Sequence, residues 1–208
     1  QHQPLTTKQA KARAIELLSD MQIADPQSVL ERYPFELSGG MRQRVMIALA
    51  FSCEPDLLIA DEPTTALDVT VQRQVLRLLK QKARATGTAV LFISHDMAVV
   101  SQLCDRLYVM YAGAVIESGT TDTVLTTPYH PYSVGLLACS PDGSEPRSEL
   151  TSIPGTVPNL AKLPTGCAFR ERCFAAVEAC GITPELHTEG RANRQVACWY
   201  PQQERAHV

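Results

Sequence analysis

Two adjacent carboxylates, Asp61 and Glu62, close the apolar run Leu57-Leu58-Ile59-Ala60 and are followed by Pro63. The run is too short for a helix and suits a parallel strand buried on both faces. Such a strand places both acids at its carboxyl edge, where open α/β sheets bind ligands. One carboxylate there can orient Mg2+, directly or through water, and the next can polarise an attacking water; phosphoryl transfer needs both. Upstream, Leu37-Ser38-Gly39-Gly40-Met41-Arg42-Gln43-Arg44 opens a helix. Its two glycines let the backbone approach a phosphate, the helix N-terminus favours the phosphate's charge, and Ser38 adds a hydroxyl donor. Downstream, Ser94-His95-Asp96 follows a second apolar run, so His95 stands at a neighbouring strand edge within reach of a terminal phosphate. Singly, these would be a solvated turn, a glycine helix start and a capping histidine. Together, in this order, they form a constellation for phosphate chemistry.

A second chemistry-bearing group lies near the end of the chain. Cys167, Cys173, Cys180 and Cys198 are separated by five, six and seventeen residues. Four thiolates suit a structural Zn2+ or an iron–sulfur cluster, although the spacing is not the C-x-x-C pair of zinc ribbons. A loop-rich tail with little hydrophobic core benefits from such a staple. The alternative is four reduced, partly buried thiols. His187 could stand in for one ligand, but four cysteines make a solvated role the simpler one. Cys53, Cys104 and Cys139 are scattered and read as structural.

The elements that must position these residues alternate between helix and strand. Thr7–Met21 reads as a helix capped by Thr7, with Ala14, Ile15, Leu17, Leu18 and Met21 in one stripe. Ser28–Tyr33 reads as a short helix stopped by Pro34, and Met41–Ser52 as a third. Asp68 caps a helix over Val69–Ala85, with Val71, Val75, Leu78 and Leu79 inward and Gly87 past its end. Thr88–Ile93 reads as a strand, Met97–Leu103 as a helix, and Leu107–Tyr111 with Ala114–Glu117 as a hairpin turning at Gly113. The alternation argues an α/β fold with a mostly parallel sheet. After about Thr126 prolines 128, 131, 141, 146, 154, 158 and 164 punctuate the chain, so three regions are expected. They are a helical region over 1–52, an α/β core over 53–126, and an extension over 127–208 that holds a helix at about Tyr132–Cys139 and the cysteine tail.

Composition narrows the partners. Lys+Arg number 19 against 22 Asp+Glu, a net charge of −3, which gives no electrostatic case for nucleic acid. The longest unbroken apolar run, Val45–Phe51, falls far short of the roughly 20 residues of a membrane span. No secretory leader follows Gln1-His2-Gln3, and a reducing compartment disfavours disulfides among the seven cysteines. An opening without Met is that of a fragment or a processed product.

The motifs resemble those of the nucleotide-binding subunit of ABC transporters. Leu37–Met41 resembles the family's LSGGQ signature, Leu57–Glu62 its Walker B strand, Ala66-Leu67-Asp68 its D-loop, and His95 its switch histidine. The resemblance implies a P-loop NTPase fold with a helical signature subdomain. It implies ATP and Mg2+ as cofactors, with Asp61 assisting Mg2+, Glu62 as general base and His95 sensing the γ-phosphate. Asp68 would couple two sites across a dimer, and Ser38, Gly39, Gly40 and Met41 would close over the ATP of a second ABC ATPase subunit, identical or related. Met41 departs from the family's Gln; LSGGMRQR resembles the peptide-importer branch. Tyr129-His130-Pro131-Tyr132, Ile153-Pro154-Gly155-Thr156-Val157-Pro158 and Leu163-Pro164 with Gly166-Cys167 and Arg172-Cys173 resemble the C-terminal extension of oligopeptide and dipeptide importer ATPases. That extension implies a 4Fe–4S cluster rather than zinc on Cys167, Cys173, Cys180 and Cys198.

The resemblance implies an ATP-hydrolysing subunit on the cytoplasmic face of the inner membrane. It would be bound to transmembrane permease subunits and served by an extracytoplasmic peptide-binding protein. Nickel or other small solutes are alternative cargo. A soluble ABC ATPase of DNA repair or translation is one competing class, and a non-catalytic interaction or iron–sulfur module is another. No G-x-x-x-x-G-K-S/T loop occurs in the 208 residues, so the backbone cradle and lysine for the β- and γ-phosphates are not supplied by this stretch. The purified 208-residue chain is therefore expected to show no Mg2+-dependent phosphate release from ATP above background. Robust turnover by that chain contradicts the expectation.

Overall fold

Thr6 starts the first helix of the computed structural model, which describes residues 4–65, 67–139, 152–189 and 194–202. Helix α1 (Thr7–Asp20) opens on a capping box: Thr6 Oγ accepts from Gln9 N, and the Gln9 side chain accepts from Thr6 N. The expected cap, Thr7, has no Glu or Gln three residues on, and so the cap falls one residue earlier. The short helix expected over Ser28–Tyr33 is instead α2 (Pro26–Val29), started by Pro26 behind the Asp25 carboxylate, which accepts from Ser28 N. Proline suits the first helical position because its missing N–H is not needed there. Pro34 likewise opens a 3-10 turn, Pro34–Glu36, rather than only ending a helix.

Helix α3 (Gly39–Phe51) is capped by Ser38, β1 runs Leu57–Asp61, and α4 (Val69–Thr86) starts on Asp68 and ends on Gly87 at φ +69°. Strand β2 (Ala89–Ile93) pairs parallel with β1, from Leu57 opposite Ala89 to Asp61 opposite Ile93. Residues 1–95 form one compact unit. Its core joins Leu17, Leu18 and Met21 of α1 and the turn after it to Ile47 and Phe51 of α3 and Val75, Leu78 and Leu79 of α4. The strands add Leu58, Ala60 and Phe92 to that core. Their alternate residues Leu57, Ile59, Leu91 and Ile93 are exposed. A strand buried on both faces was expected; within this unit the period-two alternation of side chains buries one face.

Residues 96–208 form the second unit. Helix α5 (Met97–Leu103) is capped by Asp96, whose carboxylate accepts from Ala98 N and Val99 N. Strands β3 (Arg106–Tyr111) and β4 (Ala114–Thr120) form the expected hairpin. Its two turn residues, Ala112 and Gly113, have φ of +49° and +83°, as a two-residue turn with matching twist requires. Helix α6 (Thr121–Thr126) carried no clear periodic signal, and α7 (Pro131–Ala138) is capped by His130. Two short strands, β5 (His187–Thr188) and β6 (Gln195–Val196), complete an antiparallel sheet of order β3-β4-β6-β5. Among the described residues the parallel pairing is therefore confined to β1–β2, because a two-residue connection forces β3 and β4 to run antiparallel. Phe169 fills the core of this unit, with its ring 5.2 Å from that of Tyr111 and 5.4 Å from that of Tyr132. Pro141 and Pro146 of the proline-rich stretch lie outside the described residues.

A buried carboxylate ties the late strands to the hairpin. Glu117 on β4 is fully buried, and its oxygens accept from Tyr129 N at 2.8 Å, His130 N at 2.9 Å and Arg194 Nη2 at 2.5 Å. Arg194 also donates to Thr127 O and lies over the Tyr129 ring. Glu117→Leu leaves that guanidinium buried without its anion and is expected to lower unfolding stability by about 3–5 kcal/mol. The double variant Glu117→Leu/Arg194→Met should recover part of the loss in the same denaturant titration. Equal stability of Glu117→Leu and the parent would contradict this role.

Candidate functional site

The parallel register brings the two strand ends level, and the first residue past β1 uses that alignment. Glu62 N donates to Ile93 O at 2.9 Å, which extends the ladder one step beyond Asp61. Glu62 sits at φ +42°, a left-handed backbone that costs a non-glycine residue roughly 1–3 kcal/mol. Its turn is held by Thr65, whose hydroxyl lies 3.0 Å from Glu62 Oε2. Glu62 Oε1 meets His95 Nδ1 at 2.9 Å, so the expected water-polarising acid and phosphate-contacting histidine are in direct contact. Both are solvent-accessible, at 45% and 73% of their side-chain surfaces. The hydrogen bond from His95, then that from Thr65, holds the Glu62 carboxyl below the ordinary carboxylate range. Glu62 is therefore an anion at neutral pH. A neutral His95 that donates from Nδ1 presents a lone pair at Nε2, and only the imidazolium could also donate to a phosphate. Asp61 ends β1 and is exposed beside Glu62.

The second cluster is built on the start of α3. Ser38 Oγ accepts from Met41 N at 3.3 Å, and Ser38 O accepts from Arg42 N at 2.9 Å. This cap uses a lone pair of the serine oxygen, leaving its O–H as a donor. The amides of Gly39 and Gly40 belong to the first helical turn, which supplies no intrahelical acceptor for them. One hydroxyl and two amides thus form an anion-favouring end of a 13-residue helix. A Cβ on Gly40 would stand 2.5 Å from Val71 Cγ1, so glycine also lets α3 start close against α4. Met41 packs against the core, and its amide is taken by Ser38. Asp68 Oδ1 accepts from Thr70 N at 3.1 Å and Val71 N at 3.0 Å. Ser38, Gly39, Gly40, Met41 and Asp68 line one open cleft of about 460 Å3. Ala66 of the expected Ala66-Leu67-Asp68 motif lies outside the described residues.

Two contributors were not singled out as site residues from the sequence. Arg44, one turn into α3, lines the same cleft and donates to Gln22 O at 3.1 Å and Gln74 Oε1 at 2.9 Å. Thr65 became visible only through the turn at Glu62. A hydroxyl three residues after a strand-end acid was the available cue.

In the second unit Cys167, Cys173, Cys180 and Cys198 line one cavity. Cys167 N donates to Cys180 O at 2.9 Å. Gly166, at φ +84°, lies so close to the Cys180–Gly181 backbone that a Cβ would sit 2.3 Å from Cys180 O. Cys173 follows a 3-10 turn over Arg170–Arg172, and Cys198 follows β6, where Ala197 N donates to Ile116 O at 2.8 Å. Burial pushes the Cys167 and Cys173 thiols up and Cys198 to about 11, and the charges of neighbouring thiols add to each rise. Thiolates there need a cation. Among the described residues no group of three or more His, Cys, Asp or Glu side chains is placed to hold a metal ion, so the expected metal site on these cysteines is not formed by their side chains in this structure. His187 is not among the residues lining this cavity; its Nε2 lies 3.3 Å from Glu189.

Residues 1–65 match the family model described as ABC transporter, and residues 116–180 match the model described as oligopeptide/dipeptide transporter, C-terminal region. The chain belongs to the ABC transporter family. Among relatives in that family, a probable D,D-dipeptide transport ATP-binding protein of Escherichia coli, DdpD, is 69% identical over 203 residues, 98% of this chain and 62% of that protein. The oligopeptide transport ATP-binding protein OppD of Haemophilus influenzae is 46% identical over 200 residues, 95% of this chain and 61% of that protein. The chain spans about three-fifths of the length of these ABC relatives. The dimeric post-hydrolysis structure of the ATP-binding cassette MJ0796, bound to ADP and Pi, aligns with a TM-score of 0.50 at 28% identity, over 57% of this chain and 50% of that one. The α/β fold with a signature-bearing helical part is that of an ABC cassette. No helix among the described residues is long and apolar enough to cross a membrane.

The Glu62–His95 contact has a signed pH consequence. The folded carboxyl pKa lies below the unfolded one, so the contact's contribution is present above the unfolded value. It is lost as pH falls through the folded value. His95→Ala removes the largest lowering influence. The Glu62 carboxyl, followed by NMR titration, should move up toward the ordinary range, and an unchanged titration would contradict the contact.

Proposed function

We propose that this chain is the signature-bearing part of an ATP-hydrolysing subunit of an ABC importer that powers uptake of oligopeptides or dipeptides. The observation that carries the reading is the pairing of Glu62 with His95 at the level ends of two parallel strands, in a unit that also holds the glycine-started helix α3. Glu62, held anionic and exposed, is the general base that polarises water. Asp61 assists Mg2+. His95, on Nδ1 of which the Glu62 carboxylate leans, reports the γ-phosphate by becoming imidazolium and donating from Nε2. Ser38, Gly39 and Gly40 meet the γ-phosphate held by a second ATPase subunit, while Met41 and Asp68 shape the cleft and couple the two sites.

The relatives' names, as dipeptide and oligopeptide transport ATP-binding proteins, support peptide import and a peripheral position against transmembrane permease subunits at the cytoplasmic face of the inner membrane. An extracytoplasmic peptide-binding protein delivers the cargo. In domain terms, residues 1–52 carry the signature, 53–126 the rest of the α/β core, and 127–208 the importer extension.

The extension holds a 4Fe–4S cluster on Cys167, Cys173, Cys180 and Cys198. What supports this reading is that all four cysteines line one cavity, since four thiolates are the ligand set of such a cluster. When bound, the cluster supplies a structural cation and a redox-active centre.

The test uses the full-length subunit in its assembled transporter. Glu62→Gln should lower kcat for ATP hydrolysis by about a hundred- to ten-thousand-fold, with loss of peptide uptake and retention of ATP binding. Peptide uptake at the parental rate would overturn the reading.

A further inference from the structure

Pro63 does more than end β1. Proline is favoured at the second position of a turn, where its ring presets φ, and the turn it opens closes with Thr65 N donating to Glu62 O at 3.4 Å. The two threonines of this turn differ in burial. Thr64 is buried, and its Oγ1 accepts from Gln72 Nε2 of α4 at 3.1 Å. Thr65 is exposed, and its hydroxyl lies 3.0 Å from Glu62 Oε2 and 3.3 Å from Glu62 O. A hydroxyl has one proton to donate, and the shorter contact, to a charged acceptor, is the stronger of the two. The two carboxylate oxygens of Glu62 are thus divided between partners. Oε1 meets His95 Nδ1 at 2.9 Å, and Oε2 meets Thr65. The partners also differ in attachment. His95 follows the neighbouring strand β2, whereas Thr65 closes the turn that Glu62 itself begins and that Thr64 pins to α4.

We infer that Thr65 is a positioning residue for ATP hydrolysis, holding Oε2 so that the Glu62 carboxylate stays aimed at the water it polarises. The inference rests on the reading of Glu62 as the general base. The last torsion of a glutamate side chain is broad, so a carboxylate held at one oxygen pivots about that contact. Contacts from two elements, one to each oxygen, fix its plane. Each carboxylate oxygen has a second lone pair, which leaves room for a water on either. A general base acts only within hydrogen-bond reach of the proton it removes, so the plane of the carboxylate decides whether that water is reached. Thr65 keeps its place whatever bonding His95 makes to a phosphate, because its anchor is the turn and not β2.

The test uses the full-length subunit in its assembled transporter, with ATP as the probe. Thr65→Val keeps the branched shape and removes the hydroxyl, whereas Thr65→Ser keeps the hydroxyl. Thr65→Val should lower kcat for ATP hydrolysis by about ten- to a hundredfold with KM for ATP unchanged, and Thr65→Ser should restore most of the parental kcat. In a Glu62→Gln background, followed by single-turnover phosphate release, Thr65→Val should cause no further fall. A residue that acts through Glu62 has no base left to position there. Parental kcat in Thr65→Val, a raised KM with kcat unchanged, Thr65→Ser as slow as Thr65→Val, or a fall that recurs undiminished in the Glu62→Gln background overturns the role of Thr65 and leaves the base in place. If Thr65→Val does not assemble, Thr65→Ala enters the same comparisons. Parental kcat in Glu62→Gln alone overturns the reading of Glu62 as base, and the role of Thr65 with it.

Discussion

The parallel ladder between β1 and β2 is the constraint on which the carboxylate–imidazole end of the first unit depends. Leu57 through Asp61 lie opposite Ala89 through Ile93, so both strands stop at the same level. The bond from Glu62 N to Ile93 O carries the pairing into the turn and holds Glu62 in its left-handed backbone. His95 follows two residues after Ile93 and meets Glu62 at 2.9 Å. A register slip of one residue would turn every side chain of a strand to the other face. Ala60 would leave the core and the acid would point away from the histidine. The position of the chemistry is thus a consequence of backbone pairing, enforced by the apolar face that Leu58, Ala60 and Phe92 bury.

Local signals in the sequence reached most of this site. The Asp61-Glu62 pair after an apolar run, the Ser38 cap before two glycines, the Asp68 cap and the Gly87 stop all act within a few residues of themselves, and each lies where its local chemistry puts it. Where expectation and structure part, a competing local rule won. The capping box moved the start of α1 to Thr6, and Pro26 and Pro34 opened turns instead of closing a helix. What the sequence could not show was contact between distant residues. Glu117 and Arg194 are 77 positions apart, and β6 exists because β4 accepts it. Thr65 mattered only once Glu62 had its backbone turn.

The second unit repeats the logic with a buried ion pair in place of a parallel ladder. Glu117 gathers the backbone of residues 127–130 and the start of β6 around one carboxylate. Breaking such a pair on one side costs more than replacing both sides, so the pair specifies geometry more than it adds stability. Around it, Gly166 permits a backbone approach that no other residue would allow, which brings Cys167 beside Cys180. The cysteine tail has few buried apolar residues of its own apart from Phe169, and its order comes from these fixed points.

The account's central claim is that this end of the first unit works on nucleotide phosphate, with the α3 start serving a second subunit. The most direct measurement is a structure of the full-length Glu62→Gln subunit in its assembled transporter with ATP and Mg2+. The account predicts the γ-phosphate of one subunit's ATP within hydrogen-bond distance of Ser38 Oγ and Gly40 N of the other, with His95 turned from residue 62 toward the phosphate bound in its own subunit. ATP bound with the α3 start remote from every phosphate would contradict it.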